Sequence, residues 1–128
     1  MANTVINSSN APAPIGPYSQ AILANNVLYI SGQIALEPST GNLISDDIET
    51  ETHQVMKNLQ AILQEAGLDF KDVVKCSIFV KDLNNFTRIN AVYGGYFTQS
   101  PPARETVEVS RLPKDVNVEI SCIAVKTS

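Results

Sequence analysis

Apolar positions recur along this chain with two periods, and the switches between them mark out the elements. From about 46 to 66, Ile48, Thr52, Val55, Met56, Leu59, Ile62, Leu63 and Ala66 fall at three- and four-residue steps, the stripe of an amphipathic helix. Asp46 with Glu49 makes a capping-box-like start, and Gly67 suits the position just past its end. A second helix is predicted over 84–98, with Phe86, Ile89, Tyr93, Tyr96 and Phe97 buried. Gly94 and Gly95 cost such a helix about 1 kcal/mol each relative to Ala, which suggests close backbone packing there. Pro101-Pro102 ends it.

Two-residue alternation predicts strands at about 3–6, 19–24, 27–32, 73–81, 103–110 and 116–126. In the fourth of these, Val74, Cys76, Ile78 and Val80 share one face. Asn25-Asn26 suits a tight hairpin turn, because Asn tolerates positive φ. The prolines at 12, 14 and 17, with Gly16, keep residues 11–17 extended. Leu112-Pro113-Lys114-Asp115 reads as the turn linking the last two strands. The order β-β-β-α-β-α-β-β predicts an α+β fold, a mixed six-stranded sheet with two helices on one face. No repeat, charge block or linker divides residues 1–128, so one domain is expected.

Strict alternation sends Tyr29, Phe79, Ile123 and Val125 to the face that no helix covers, interleaved with Ser77, Thr106, Glu119 and Ser121. Large apolar side chains there call for a second chain, and a homo-oligomer with inward-turned sheets is expected.

Composition narrows the partners. The chain is 44% hydrophobic, too apolar for disorder, and its net charge of −4 argues against nucleic acid or an anionic membrane surface as main partner. Apolar runs such as Val27-Leu28-Tyr29-Ile30 stay far below the roughly 18 residues that span a bilayer. Residues 1–10 hold neither a basic nor an apolar leader stretch, so a cytoplasmic protein is expected. Cys76 and Cys122 are isolated, without C-x-x-C spacing, and read as small core residues rather than a disulfide. Two Cys and one His fall short of a structural zinc set, so no metal site is expected on those ligands, and an all-carboxylate Mg²⁺ or Ca²⁺ site, though open, has no motif. No glycine-rich nucleotide loop is present, which leaves NAD and ATP without a cradle.

The candidate chemistry centres on Arg104 and Glu119. If the last two strands pair antiparallel through the 111–115 turn, both residues lie close together on the open face. A salt bridge plugging an oligomer interface is the commoner meaning of such a pair. The functional alternative is an Arg that captures a carboxylate in a bidentate fork beside a Glu that handles protons. Tyr18, directly after Ile15-Gly16-Pro17, is either an interface aromatic or a lid over a small ligand. Ser31-Gly32-Gln33 ends a strand with a glycine that permits close backbone approach, or marks a turn. His53 falls on the polar stripe of the first helix and reads as a solvated surface residue.

Ala11 to Tyr18, Ser31-Gly32-Gln33, Phe79-Val80-Lys81-Asp82-Leu83, Pro102-Ala103-Arg104, Val107-Glu108-Val109 and Leu112-Pro113-Lys114-Asp115 together resemble the Rid, or YjgF-type, family of reactive-intermediate deaminases. The resemblance runs through nearly the whole chain. It implies a chorismate-mutase-like α+β fold and a homotrimer with three clefts between subunits. It also implies hydrolysis of 2-imino acids, the enamine/imine products of PLP-dependent dehydratases, to 2-oxo acids and ammonia, without metal or organic cofactor. By the same resemblance Arg104 grips the substrate carboxylate, Glu119 serves the attacking water and Tyr18 closes the site. Ser31, Gly32, Asn90 and Thr106 stand near the substrate. Many bacterial members have Cys where this chain has Thr106; Thr serves equally if that position acts through its backbone groups. Two rival readings remain: a 2-oxo acid-binding regulator without turnover, and an RNA-cleaving translation inhibitor, against which the acidic charge speaks.

Overall fold

The computed structural model describes residues 3–127. Its elements follow the two hydrophobic periods closely: β1 Thr4–Ile6, β2 Ala21–Ala24, β3 Val27–Gln33, α1 Ile48–Glu65, β4 Val73–Val80, α2 Phe86–Gly94, β5 Ala103–Glu108 and β6 Val118–Val125. The whole α1 stripe from Ile48 to Ala66 is buried as its spacing predicts. The helix starts one residue later than expected: Asp47, not Asp46, is the N-cap, its carboxylate accepting the Thr50 N–H at 2.7 Å. Gly67, at φ +76°, follows the helix where a left-handed residue is needed. Asn25 and Asn26, both at positive φ, make the β2–β3 hairpin turn.

The six strands form one mixed sheet in the order β1-β2-β3-β6-β4-β5, with the main core between its inner face and the two helices. All pairings are antiparallel except β4 with β5. This corrects the expected pairing of the last two strands. The α2 crossover returns β5 parallel to β4 at the sheet edge, and the 109–117 connection then carries the chain back to the far side of β4.

The corrected order moves residues between faces. Arg104 is in register with Cys76 and Thr106 with Ile78, so both sit on the helix-covered face. Glu119 is in register with Phe79 and keeps to the opposite, open face, as expected. Arg104 and Glu119 of one chain therefore lie on opposite sides of the sheet with β4 between their strands, and Thr106 is not on the open face.

Other differences have local causes. A bulge at the start of β4 puts Val73 in the core and leaves Val74 exposed, shifting the expected alternation by one. The second helix stops at Gly94 rather than near 98; Tyr96 and Phe97 pack on the core from the turn beyond. An added Cβ at Gly94 would meet nothing within 4 Å, so that glycine ends the helix without the close packing expected of it. Phe86 is 37% exposed instead of buried.

On the open face, Tyr29 stays 50% and Val107 43% exposed. Phe79 instead packs against a small second cluster of Ile34, Leu36, Leu112 and Val116. Three buried polar side chains tie the loops around that cluster. The Glu51 carboxylate accepts the Asn117 N–H and Nδ2–H, both at 2.8 Å. Asn58 Nδ2 donates to the carbonyls of Ile34 and Leu36. Gln20 Oε1 accepts the Ser8 N–H while its Nε2 donates to Ser8 and Pro12 carbonyls. No helix of the described residues is long and apolar enough to cross a membrane.

Candidate active site

The tied loops enclose a cleft of about 400 Å³ on the open face. Tyr18, Ser31, Gly32 and Glu119 line it, with Ile15, Ile34 and Leu36 among its apolar walls. A break in the β3–β6 register between Ile30 and Gln33 lifts Ser31-Gly32 out of the regular ladder beside Glu119. Gly32 is there for space. A Cβ at that position would come within 3.0 Å of three Glu119 side-chain atoms, so the missing side chain is what lets the carboxylate lie against the strand.

Glu119 is half-buried with no ion-pair partner among the described residues, and burial pushes its carboxyl above the usual range. A carboxylate whose proton affinity is raised by burial is a better proton acceptor than a fully solvated one. The Ser31 hydroxyl donates to the Ser19 carbonyl at 2.6 Å, which fixes it and leaves lone pairs for a donor in the cleft. The Tyr18 hydroxyl accepts the Ile15 N–H at 3.2 Å, folding residues 15–18 into the turn that forms the mouth.

The other half of the expected site is on the helix side, at the sheet edge. Arg104 Nη1 donates to Asn90 Oδ1 at 2.6 Å, and its guanidinium carbon lies 5.1 Å from the Tyr93 ring centre and 5.5 Å from that of Phe86. No carboxylate of the described residues pairs with Arg104, so the salt bridge to Glu119 allowed by the sequence is absent. Thr106 Oγ1 is buried nearby without a hydrogen-bond partner. Cys76 and Cys122, opposite one another on β4 and β6, are buried free thiols, as their core role predicts. His53 is exposed, as expected, with Nδ1 2.8 Å from the Tyr96 hydroxyl.

The structure thus gathers Tyr18, Ser31, Gly32 and Glu119 into one cleft and Arg104, Asn90 and Thr106 into a separate ledge. Sequence reasoning missed Glu51 and Asn58, and it named Phe86, Asn90 and Tyr93 without their hold on Arg104. Glu51 and Asn58 were legible as polar residues on the apolar stripe, since 51, 55, 58 and 62 share one helix face. Phe86, Asn90 and Tyr93 were legible as another such set, at steps of four and three.

Comparison with known proteins covers the whole of this architecture. The family model described as Endoribonuclease L-PSP matches residues 8–126. A RutC family protein of Pyrococcus horikoshii is 54% identical over 122 residues, 95% of this chain and 97% of that protein. The chloroplastic Reactive Intermediate Deaminase A of Arabidopsis thaliana is 45% identical over 120 residues, 94% of this chain and 64% of its own length. Among solved structures, the YjgF gene product of E. coli superposes with a TM-score of 0.93 at 46% identity, covering 97% of this chain and 99% of that one. E. coli TdcF with bound serine gives 0.93 at 38% identity, with the same two coverages.

Proposed function

The chain belongs to the endoribonuclease L-PSP family, the YjgF/Rid family, and from that premise we propose that it is an imine deaminase whose sites form between chains. Its substrates are 2-iminobutanoate and 2-iminopropanoate, which it converts to 2-oxo acids and ammonia in the cytoplasm. One observation carries the reading: Arg104 and Glu119 face opposite sides of one sheet, each without a counter-ion among the described residues. A site that uses both takes Arg104 from one copy and Glu119 from its neighbour. The exposed apolar side chains of Tyr29 and Val107, on the face no helix covers, supply surface such copies would share. A homotrimer closes three such clefts.

The chemistry needs few groups. Arg104 holds the substrate carboxylate through guanidinium donors not engaged by Asn90. The neighbour's Glu119 accepts a proton from water as the oxygen bonds to the imine carbon. The substrate reacts as its N-protonated iminium, so this step yields a neutral carbinolamine. That species takes the proton from Glu119 on nitrogen, its C–N bond breaks to release ammonia, and the hydroxyl proton passes back to Glu119 as the carbonyl forms. Tyr18 covers the cleft, Ser31 and Gly32 shape its floor, and Asn90 and Thr106 flank the arginine. The name of the Arabidopsis relative and the serine bound to TdcF, an amino acid of similar size, both support a small carboxylate ligand. Net charge −4, with two of three arginines already ion-paired, weighs against a phosphate-backbone substrate.

The test has two arms. Freshly generated 2-iminobutanoate, from a threonine dehydratase reaction, is followed by semicarbazide trapping and by ammonia release. Faster loss of the trappable imine is expected with the chain present, and unchanged loss refutes the activity and favours a binding regulator. Mixing Arg104→Ala with Glu119→Gln subunits then addresses the shared site. Random assembly regenerates about a quarter of intact sites if each joins two chains, and none if each lies within one chain. Light scattering is expected to give the mass of three chains; a stable monomer at micromolar concentration overturns the shared site.

A further inference from the structure

The three arginines of this chain are held in two different ways. Arg88 and Arg111 each fork onto a carboxylate, of Glu49 and Asp115. Arg104 is held by one amide oxygen and two aromatic rings. We infer that Tyr93, with Phe86 as the outer wall, is a positioning residue that fixes the Arg104 guanidinium for an incoming carboxylate without neutralising it. A carboxylate partner would fix the guanidinium equally well, but the ligand would then have to displace it. A ring face attracts the cation through its quadrupole and leaves the fork's N–H donors unspent.

The backbone supplies the cradle directly. Phe86, Asn90 and Tyr93 lie at i, i+4 and i+7 of α2, one stripe of one helix. The neighbouring stripe anchors that helix: Ile89 and Val92 are buried, and the Arg88–Glu49 pair ties it to α1. Tyr93 is 5% exposed, and its ring is braced by Phe97 at 4.8 Å between centres, with Phe70 5.4 Å beyond. Its hydroxyl, in contrast, is buried beside the Cys76 thiol and donates to no nitrogen or oxygen among the described residues. The ring, not the hydroxyl, is therefore the working part, and that predicts which substitutions the position tolerates.

The inference rests on the imine-deaminase reading for its consequence, but its physical content is tested without substrate. In the assembled protein, the side-chain N–H signals of Arg104, assigned by their loss in Arg104→Lys, are expected to carry ring-current shifts. Tyr93→Phe keeps those shifts and leaves 2-oxobutanoate affinity within about twofold, because the π face is retained. Tyr93→Leu preserves an apolar core residue but is expected to move the signals toward those of a free arginine and weaken binding about tenfold. Phe86→Ala, at a partly exposed position where folding is not at stake, is expected to give a smaller change of the same kind. Unshifted Arg104 signals in the wild type, or equal damage from Tyr93→Phe and Tyr93→Leu, overturns the inference. If Tyr93→Leu fails to fold, an unchanged Phe86→Ala protein overturns it instead. Absence of imine hydrolysis in a wild type whose Arg104 signals do respond to Tyr93→Leu refutes the functional reading alone.

Discussion

The Glu119 cleft and the Arg104 ledge solve opposite problems. In the cleft, an anion is kept short of partners in a concave, mostly apolar space that a strand irregularity and a missing Cβ open for it. On the ledge, a cation at an edge strand is held firmly by rings and an amide, with its charge unmatched. The cleft raises the proton affinity of its carboxyl group through burial; the ledge fixes the direction of its guanidinium. Their strands place them on opposite faces of the sheet, and under the proposed function each chain would carry two different halves of a site.

The largest expected effect tests the ledge. Charge-assisted hydrogen bonds contribute roughly 1.5–3 kcal/mol each, so losing two abolishes detectable handling of a ligand this small. Arg104→Ala is expected to eliminate imine hydrolysis and 2-oxo acid binding. Arg104→Lys is expected to be nearly as damaging, because a point charge cannot replace a fork. Full activity in the Lys variant would show that charge alone suffices there.

Glu119→Gln tests the cleft and is expected to differ in kind. Turnover falls about 10²-fold, the usual scale for general acid–base assistance, while 2-oxobutanoate binding survives. In the wild type the base must be ionised, so the acid limb of the kcat/KM profile should lie above the ordinary carboxylate range and vanish in the Gln variant. Stability gives a second readout with a definite sign. Because the folded Glu119 carboxyl is raised, its contribution is present below the unfolded value and is lost as pH climbs through the folded one. Glu119→Gln should thus melt higher than wild type at neutral pH, by a margin that shrinks toward acid. Normal turnover in this variant would return Glu119 to a purely structural role.

Gly32→Ala sharpens the claim that the cleft is made by room. The new Cβ would overlap Glu119 Oε2, so the carboxylate must swing away. Since the obstructed atom is the far end of a flexible side chain, the protein should still fold while turnover drops about tenfold. An unimpaired variant with Glu119 undisplaced would remove the glycine from the site. The smallest effect is expected at Thr106. If the position works through its backbone, Thr106→Cys changes imine hydrolysis by no more than a few-fold, as a steady-state comparison would show. A gain of orders of magnitude would mean that the ledge of this chain is built for binding rather than turnover.

Much of this was legible in the residues. Hydrophobic periods placed both helices and all six strands to within a few residues, because amphipathic stripes and alternation are local consequences of which side chains avoid water. The motifs from Ala11 to Asp115 carried the family, and Arg104 and Tyr18 stand within them as candidates, with Glu119 just beyond. The β-bulge at Val74 and the exposed Phe86 escaped, since single-residue shifts leave the overall period intact.

What the sequence by itself determined is therefore the set of elements, the inward faces of most of them and the candidate site residues. What the tertiary structure decided is where those side chains stand relative to one another. The last two strands, with a turn between them, read as a hairpin, but α2 had already committed β5 to the outer edge of β4. Strand order is a non-local choice, made by the helix crossover and by the buried Glu51–Asn117 bonds that bring the connection back. Side chains alternate along a strand, so register with β4 fixed which face each residue received. Arg104 was thereby carried to the helices and their rings, and Glu119 was left on the open face of the sheet.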